Sequence, residues 1–201
     1  MITAIGDVMR ECYKRGWITT RDGNCSVRRG GDKKIYITPT AVRKYLIYPE
    51  TVDCLRIRDG HLVLNDGDDP SGELEMHWQL LQGATSTRCV LHVHSTHIVA
   101  AMYAGWDLKS MALQFPEIYR YTKVGPNVPV LPAISQALAD ETSSALGIKN
   151  GILQYDVVGQ GNHGVCSVGQ NPWDAFEHIE RLEHICQIVL NSGVRPSIMN
   201  K

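Results

Sequence analysis

The sequence predicts one mixed α/β domain organised around a mainly antiparallel sheet with helices packed on it. Three observations carry this: helical and strand periodicities take turns along the chain, short strands recur in pairs around tight-turn residues, and no linker, repeat or compositional shift divides the 201 residues. With 43% hydrophobic and 20% charged residues, a chain of this length can bury one sizeable core. The balance of 20 Lys+Arg against 21 Asp+Glu, a formal net charge of −1, excludes a strongly basic nucleic-acid binder. Apolar stretches such as residues 98–104 fall far short of the roughly 20 residues needed to span a bilayer. The first 16 residues carry Asp7, Arg10, Glu11, Lys14 and Arg15 among apolar positions and lack the apolar core of a secretory signal. A cytoplasmic protein with no membrane or nucleic-acid partner is expected. The six cysteines include no Cys-x-x-Cys pair, so reduced and mostly buried thiols are expected.

Ile2, Ile5, Val8, Met9, Cys12 and Tyr13 share a helical stripe that Gly16 stops. Residues 25–29 and 34–38 form a hairpin around Gly30, Gly31 and Asp32, and a Thr38-Pro39-Thr40 loop follows. A second hairpin, residues 52–58 and 61–64, turns at Asp59-Gly60. A helix then opens with Asp69 as N-cap and Pro70 in its first position, placing Leu74, His77, Trp78 and Leu81 on one stripe. Glu73 and His77, four apart, can touch. Residues 88–94 alternate as a strand, so His92 and His94 project from one face. Residues 96–104 form a helix ended by Gly105, and the segment up to Gly125 has no clear period. Residues 128–131 read as a short strand, 135–146 as a helix, and 155–159 and 165–168 as strands enclosing the turn Gly161-Asn162-His163-Gly164. The last helix is the clearest: Asn171 caps it, Pro172 fits its first position, and Ala175, Phe176, Ile179, Leu182, Cys186 and Val189 mark its stripe. The tail after about residue 193 is expected to be loose.

Two imidazoles at alternate strand positions can reach one ion, and a catalytic zinc site takes a third protein ligand while leaving a position open. His163, in its glycine-flanked turn, is the best third candidate. Glu73 can supply a carboxylate that ligates the ion or moves protons beside it. His97 can support the site or simply pack. Any single histidine here reads more readily as a hydrogen-bonded or surface residue; the ordered combination is what stands out.

The blocks Gly23-Asn24-Cys25-Ser26-Val27-Arg28, Ile37-Thr38-Pro39-Thr40, Pro70-Ser71-Gly72-Glu73 with His77, His92-Val93-His94-Ser95-Thr96-His97 and Asn162-His163-Gly164 resemble the class II aldolase/adducin family in order and spacing. The resemblance runs from about residue 4 to residue 190. It implies a single three-layer α/β domain over residues 1–201, a central mainly antiparallel sheet flanked by helices, and a homotetramer with sites at subunit interfaces. It further implies a zinc ion on His92, His94 and His163, with other divalent ions open, and Glu73 as acid/base. The family's phosphate pocket maps onto Asn24, Thr40-Ala41 and Ser71-Gly72, where Ala41 and Gly72 depart from a Thr-Gly and a Ser-Ser pair. Backbone N–H groups of residues 71–73 at a helix N-terminus can still cradle an anion.

The reaction implied first is aldol cleavage or formation of a small ketose 1-phosphate, giving dihydroxyacetone phosphate and an aldehyde through a metal-stabilised enediolate. Tyr119 maps to the second proton donor of the aldolases. Glu117, two residues away, maps to the donor of relatives that dehydrate methylthioribulose 1-phosphate, and Lys123-Val124-Gly125 resembles relatives that decarboxylate 3-oxo-tetronate phosphates. Relatives that epimerise ribulose phosphate usually have Asp in place of Glu73. Adducins use the fold as a non-catalytic interaction domain, which needs neither three ligands nor Glu73.

Overall fold

The computed structural model describes residues 1–29, 31, 33–85 and 87–196. Helix α1 (Ile2–Lys14) leads into two antiparallel hairpins, β1 (Asn24–Val27) with β2 (Lys34–Ile37), and β3 (Asp53–Arg58) with β4 (His61–Val63). Helix α2 (Leu74–Gly83) and strand β5 (Cys89–Val93) follow, then α3 (Thr96–Tyr103), α4 (Leu108–Ala112), α5 (Pro116–Tyr121) and α6 (Gln136–Leu146). A small hairpin of β6 (Ile148–Lys149) and β7 (Ile152–Leu153) precedes β8 (Val157–Gln160), β9 (Gly164–Gly169) and α7 (Pro172–Asn191). The main sheet has seven strands in the order β4-β3-β2-β1-β5-β9-β8, and every neighbouring pair is antiparallel.

Strand alternation sorts the side chains into two cores. Cys89, Leu91 and Val93 of β5 face α1, α3 and α7, while Val90 faces α2 and α6. Helices on both faces make the three layers that the resemblance implies. His92 has the parity of Val90 and so projects toward α2. The register places Asn24 of β1 directly opposite His92 of β5.

The expected cap of the last helix is present: Asn171 Oδ1 accepts from the backbone N–H groups of Trp173 (2.9 Å) and Asp174 (3.1 Å). Ser135, read as helical, instead caps α6, its Oγ accepting from Leu138 (3.1 Å). Asp59 and Gly60 take φ of 51° and 80°, the doubly positive turn that suits a tight hairpin. In the first hairpin, Gly30 and Asp32 lie outside the described residues, as do the last five residues of the tail. Among the six cysteines no disulfide forms, and all but Cys54 are buried. Among the described residues, no helix is long and apolar enough to cross a membrane.

Three expectations are corrected. Helix α2 starts at Leu74, so Asp69 is no N-cap and Pro70 is not in the first helical position. The chain there pairs with the 38–40 loop instead: Thr40 N–H donates to Asp69 O (2.8 Å), Ser71 N–H donates to Thr38 O (3.1 Å), and Pro39 bridges Pro70. Long-range backbone bonds thus hold the segment extended against its local helix-start signal. Residues 128–131 form no strand: Val128 makes one parallel bridge to Gln160, and Pro129 and Pro132 lack the N–H groups to continue a ladder. The segment up to Gly125 holds α4 and α5. The β6–β7 hairpin carries an Asn150-Gly151 turn with both φ positive, the pairing that suits a tight hairpin.

Lys44, only 2% exposed, donates from Nζ to the Pro39 carbonyl at 2.7 Å and ties down the loop that presents Thr40. Burial pushes its pKa down to about 8, against the opposing pull of the Asp22 charge. Between that value and the ordinary 10.5, the unfolded chain binds the extra proton, so stability rises with pH through this window. Denaturant unfolding should show a gain on the order of 3 kcal/mol between pH 8 and pH 10.5 that is absent in Lys44→Met. Equal pH slopes in the two proteins would contradict it.

Candidate active site

Strand β5 and the turn before β9 bring three imidazoles together. His92 donates from Nδ1 to the Val165 carbonyl (3.1 Å), which leaves its Nε2 as a lone pair. That Nε2 stands 3.0 Å from Nε2 of His94. His163 completes the group: the three rings lie 4.9 Å apart centre to centre in every pair, and one ligand atom from each falls within 4.8 Å of the others. The turn can approach because of its glycines. A Cβ on Gly164 would lie 2.5 Å from the Val93 carbonyl and 2.8 and 2.9 Å from the rings of His92 and His94. Gly164→Ala is therefore expected to push the His163 turn away, weakening divalent-ion binding at least ~10-fold and costing about 1–3 kcal/mol of stability. Isothermal titration and denaturant unfolding of the variant check this; wild-type affinity would refute the close-approach argument.

Glu73, 9% exposed, closes the site from the end of the 69–73 loop. Its Oε2 is 3.3 Å from His92 Nε2 and accepts from Asn24 Nδ2 at 2.8 Å; its Oε1 is 3.9 Å from His163 Nε2. Behind it runs a directional relay. Ser26 Oγ–H donates to His77 Nδ1 (2.6 Å), His77 Nε2–H donates to Asn24 Oδ1 (2.5 Å), and the Asn24 amide donates to Glu73. His77 thus meets Glu73 through Asn24. Ser26 is a site residue the sequence reading did not single out; it stands two residues from Asn24 on the same strand face, and only the packing of α2 against β1 reveals the link.

Burial raises the Glu73 pKa, but the neighbouring His92 ring, the Asn24 hydrogen bond and, less strongly, the His163 and His77 rings outweigh it and leave the pKa lowered. Burial lowers His92 and His163, takes His94 down to about 4 with His92 adding to the effect, and takes His77 down to about 3. At neutral pH the site therefore presents neutral imidazoles beside a carboxylate. His163 Nδ1 and Glu73 Oε1 are buried without a hydrogen-bond partner. Converging lone pairs and an unpaired carboxylate oxygen fit a divalent cation, and this donor set of borderline nitrogens with one oxygen suits zinc.

The 38–41 and 69–73 loops lie side by side next to Glu73, which brings Thr40, Ser71 and Gly72 together. Ala41 has φ 54°, so the departure from glycine keeps a left-handed backbone. The expected backbone cradle is reduced: Ser71 N–H is taken by Thr38 O and Glu73 N–H donates to Ser71 Oγ (3.3 Å). Gly72 packs under Ile134, whose Cδ1 would be 3.0 Å from a Cβ there. Tyr119 and Glu117 stand apart on α5. Tyr119 is 56% exposed, and no hydrogen bond or ring contact joins either to the histidines among the described residues. His97 donates from Nδ1 to Glu183 (2.8 Å), whose carboxylate also accepts from the backbone of His97 and Ile98, so this pair caps α3 against α7.

The sequence pattern described as the Class II Aldolase and Adducin N-terminal domain matches residues 3–190, and the chain belongs to this family. An "L-fuculose phosphate aldolase" of Methanococcus maripaludis is 28% identical over 187 residues, covering 93% of this chain and 94% of the relative. A "3-oxo-tetronate 4-phosphate decarboxylase" of Haemophilus influenzae is 28% identical over 182 residues, covering 89% of this chain and 81% of the relative. The crystal structure of a sugar-phosphate aldolase from Thermotoga maritima superposes with a TM-score of 0.78 at 21% identity, covering 97% of each chain. The fold and family are those of an enzyme, a lyase whose relatives act on sugar phosphates.

Proposed function

We propose that the chain is a zinc-dependent aldolase that cleaves or forms a carbon–carbon bond in a small ketose 1-phosphate, with dihydroxyacetone phosphate and an aldehyde as the two halves. The observation that carries this reading is the convergence of neutral His92, His94 and His163 on a buried carboxylate, Glu73, with one oxygen unpaired. His92, His94 and His163 would hold the ion, which when bound supplies Lewis-acid polarisation of the substrate carbonyl. Glu73 moves the proton at the carbon next to that carbonyl, from Oε1, while Asn24 keeps Oε2 occupied. Thr40, Ser71 and Gly72 receive the phosphate; Asn24 uses one Nδ2 proton on Glu73 and retains a second for substrate.

The second proton donor, Tyr119, sits on an exposed helix, as expected if it serves the site of a neighbouring subunit. Tyr103, Leu113, Tyr119 and Tyr121 are exposed apolar or aromatic residues along the 103–121 segment, which supports a subunit interface there; the homotetramer and a cytoplasmic setting come from the resemblance and the sequence. Glu117 on the same helix keeps a dehydratase reading in play, and the decarboxylase relative a decarboxylating one. The test is hydrogen–deuterium exchange at the prochiral carbon of dihydroxyacetone phosphate in heavy water. Zinc-loaded protein is expected to exchange, and chelated protein and Glu73→Gln are not. Fully zinc-loaded protein that gives no exchange would reject the aldolase and move the second-donor role from Tyr119 to Glu117.

A further inference from the structure

A second carboxylate stands beside the histidine triangle, on the His94 side, whereas Glu73 lies against His92 and His163. Asp22 lies between α1 and β1, with Oδ2 at 3.9 Å from Nδ1 of His94. Nδ1 is the edge of the ring turned away from the triangle, because Nε2 is the atom facing His92. The surrounding loop is held on both sides. The backbone N–H of His94 donates to the Trp17 carbonyl at 2.9 Å. Gly23, with φ 71°, runs so close to β5 that a Cβ would sit 3.0 Å from the His92 carbonyl oxygen. Within the loop, Thr19 Oγ1 donates to the same Oδ2 and aims the carboxylate.

An imidazole that ligates through Nε2 must carry its proton on Nδ1, and a carboxylate on that edge holds the tautomer and raises the basicity of the ligating nitrogen. His92 has a neutral partner for this purpose, the Val165 carbonyl. For His94, Asp22 stands in the corresponding place, acting at 3.9 Å through its charge or through one bridging water. We propose that Asp22, oriented by Thr19, is the positioning residue for His94, fixing its Nδ1–H tautomer and setting the affinity of the three histidines for their divalent cation. This rests on the metal-site reading above and adds a residue outside the ligand set.

The test measures zinc affinity of the full chain by competition with a chromophoric chelator, together with long-range proton–nitrogen spectra of the histidine rings in metal-free protein. Wild type is expected to bind zinc with His94 as the Nδ1–H tautomer. Asp22→Ala should weaken binding about 10- to 100-fold and shift metal-free His94 toward the Nε2–H tautomer that donates to His92 Nε2, while the His92 tautomer and the metal-free melting temperature stay unchanged. Asp22→Asn, which keeps an acceptor but no charge, should fall between, and Asp22→Glu should restore much of the affinity. If Asp22→Ala keeps wild-type affinity and tautomer, the proposal fails and the metal site stands. If wild type takes up no zinc, the metal-site reading fails and the proposal with it.

Discussion

Glu73→Gln is expected to lower turnover by about 10²- to 10⁴-fold while leaving zinc content and fold intact. The substitution keeps the shape of the side chain, which ends in a tight environment between Asn24 and His92. What it removes is the group that can accept and return a proton at Oε1, the oxygen with no hydrogen-bond partner. Because the histidines and Asn24 hold the carboxyl pKa down despite burial, the anion is ready at neutral pH. Steady-state kinetics with metal analysis separate the contributions. Lost turnover at full metal occupancy assigns Glu73 to proton transfer, whereas a variant with wild-type turnover removes it from the chemistry.

His92→Ala carries the second large effect: complete loss of stoichiometric zinc and of measurable turnover. His92 is the central ring of the three. It sits opposite Asn24 in the sheet, bonds Val165 across β9, and touches both His94 and Glu73. Removing it also takes away the imidazole nearest the Glu73 carboxylate and the hydrogen bond to the Val165 carbonyl, the latter at about 0.5–1.5 kcal/mol. Full zinc together with full turnover in this variant would show that the chemistry lies elsewhere. Thermal unfolding in chelator separates the metal effect from the loss of packing.

Much of this site is legible in the sequence because its signals are local. His92 and His94 lie two apart on a strand whose alternation is plain, and His163 lies between glycines that announce a tight turn. Helix α7 is equally readable, since Asn171, Pro172 and the apolar stripe agree. The rest depends on pairing between distant segments. Asp69-Pro70 has the chemistry of a helix start, yet the backbone at residues 69 and 71 bonds to residues 40 and 38, and no local rule contains that contact. Ser26, His77 and Asn24 become a relay only after α2 packs on β1. Asp22 meets His94 only because the loop after α1 folds back on the end of β5. Tyr119 maps to the site by resemblance alone, and among the described residues no hydrogen bond or ring contact ties it to the three histidines.

The sense of the Ser26–His77–Asn24 relay has a stereochemical consequence. Every donor in it points toward Glu73, and the last one reaches Oε2. Oε1, without a hydrogen-bond partner, is the oxygen better placed to handle a proton, from beside His163. A carboxylate with both oxygens free could reach either face of a substrate carbon; this one works from a single side. The label taken up from heavy water should therefore enter one prochiral position of dihydroxyacetone phosphate and leave its twin untouched, a handedness imposed by a serine hydroxyl three hydrogen bonds away.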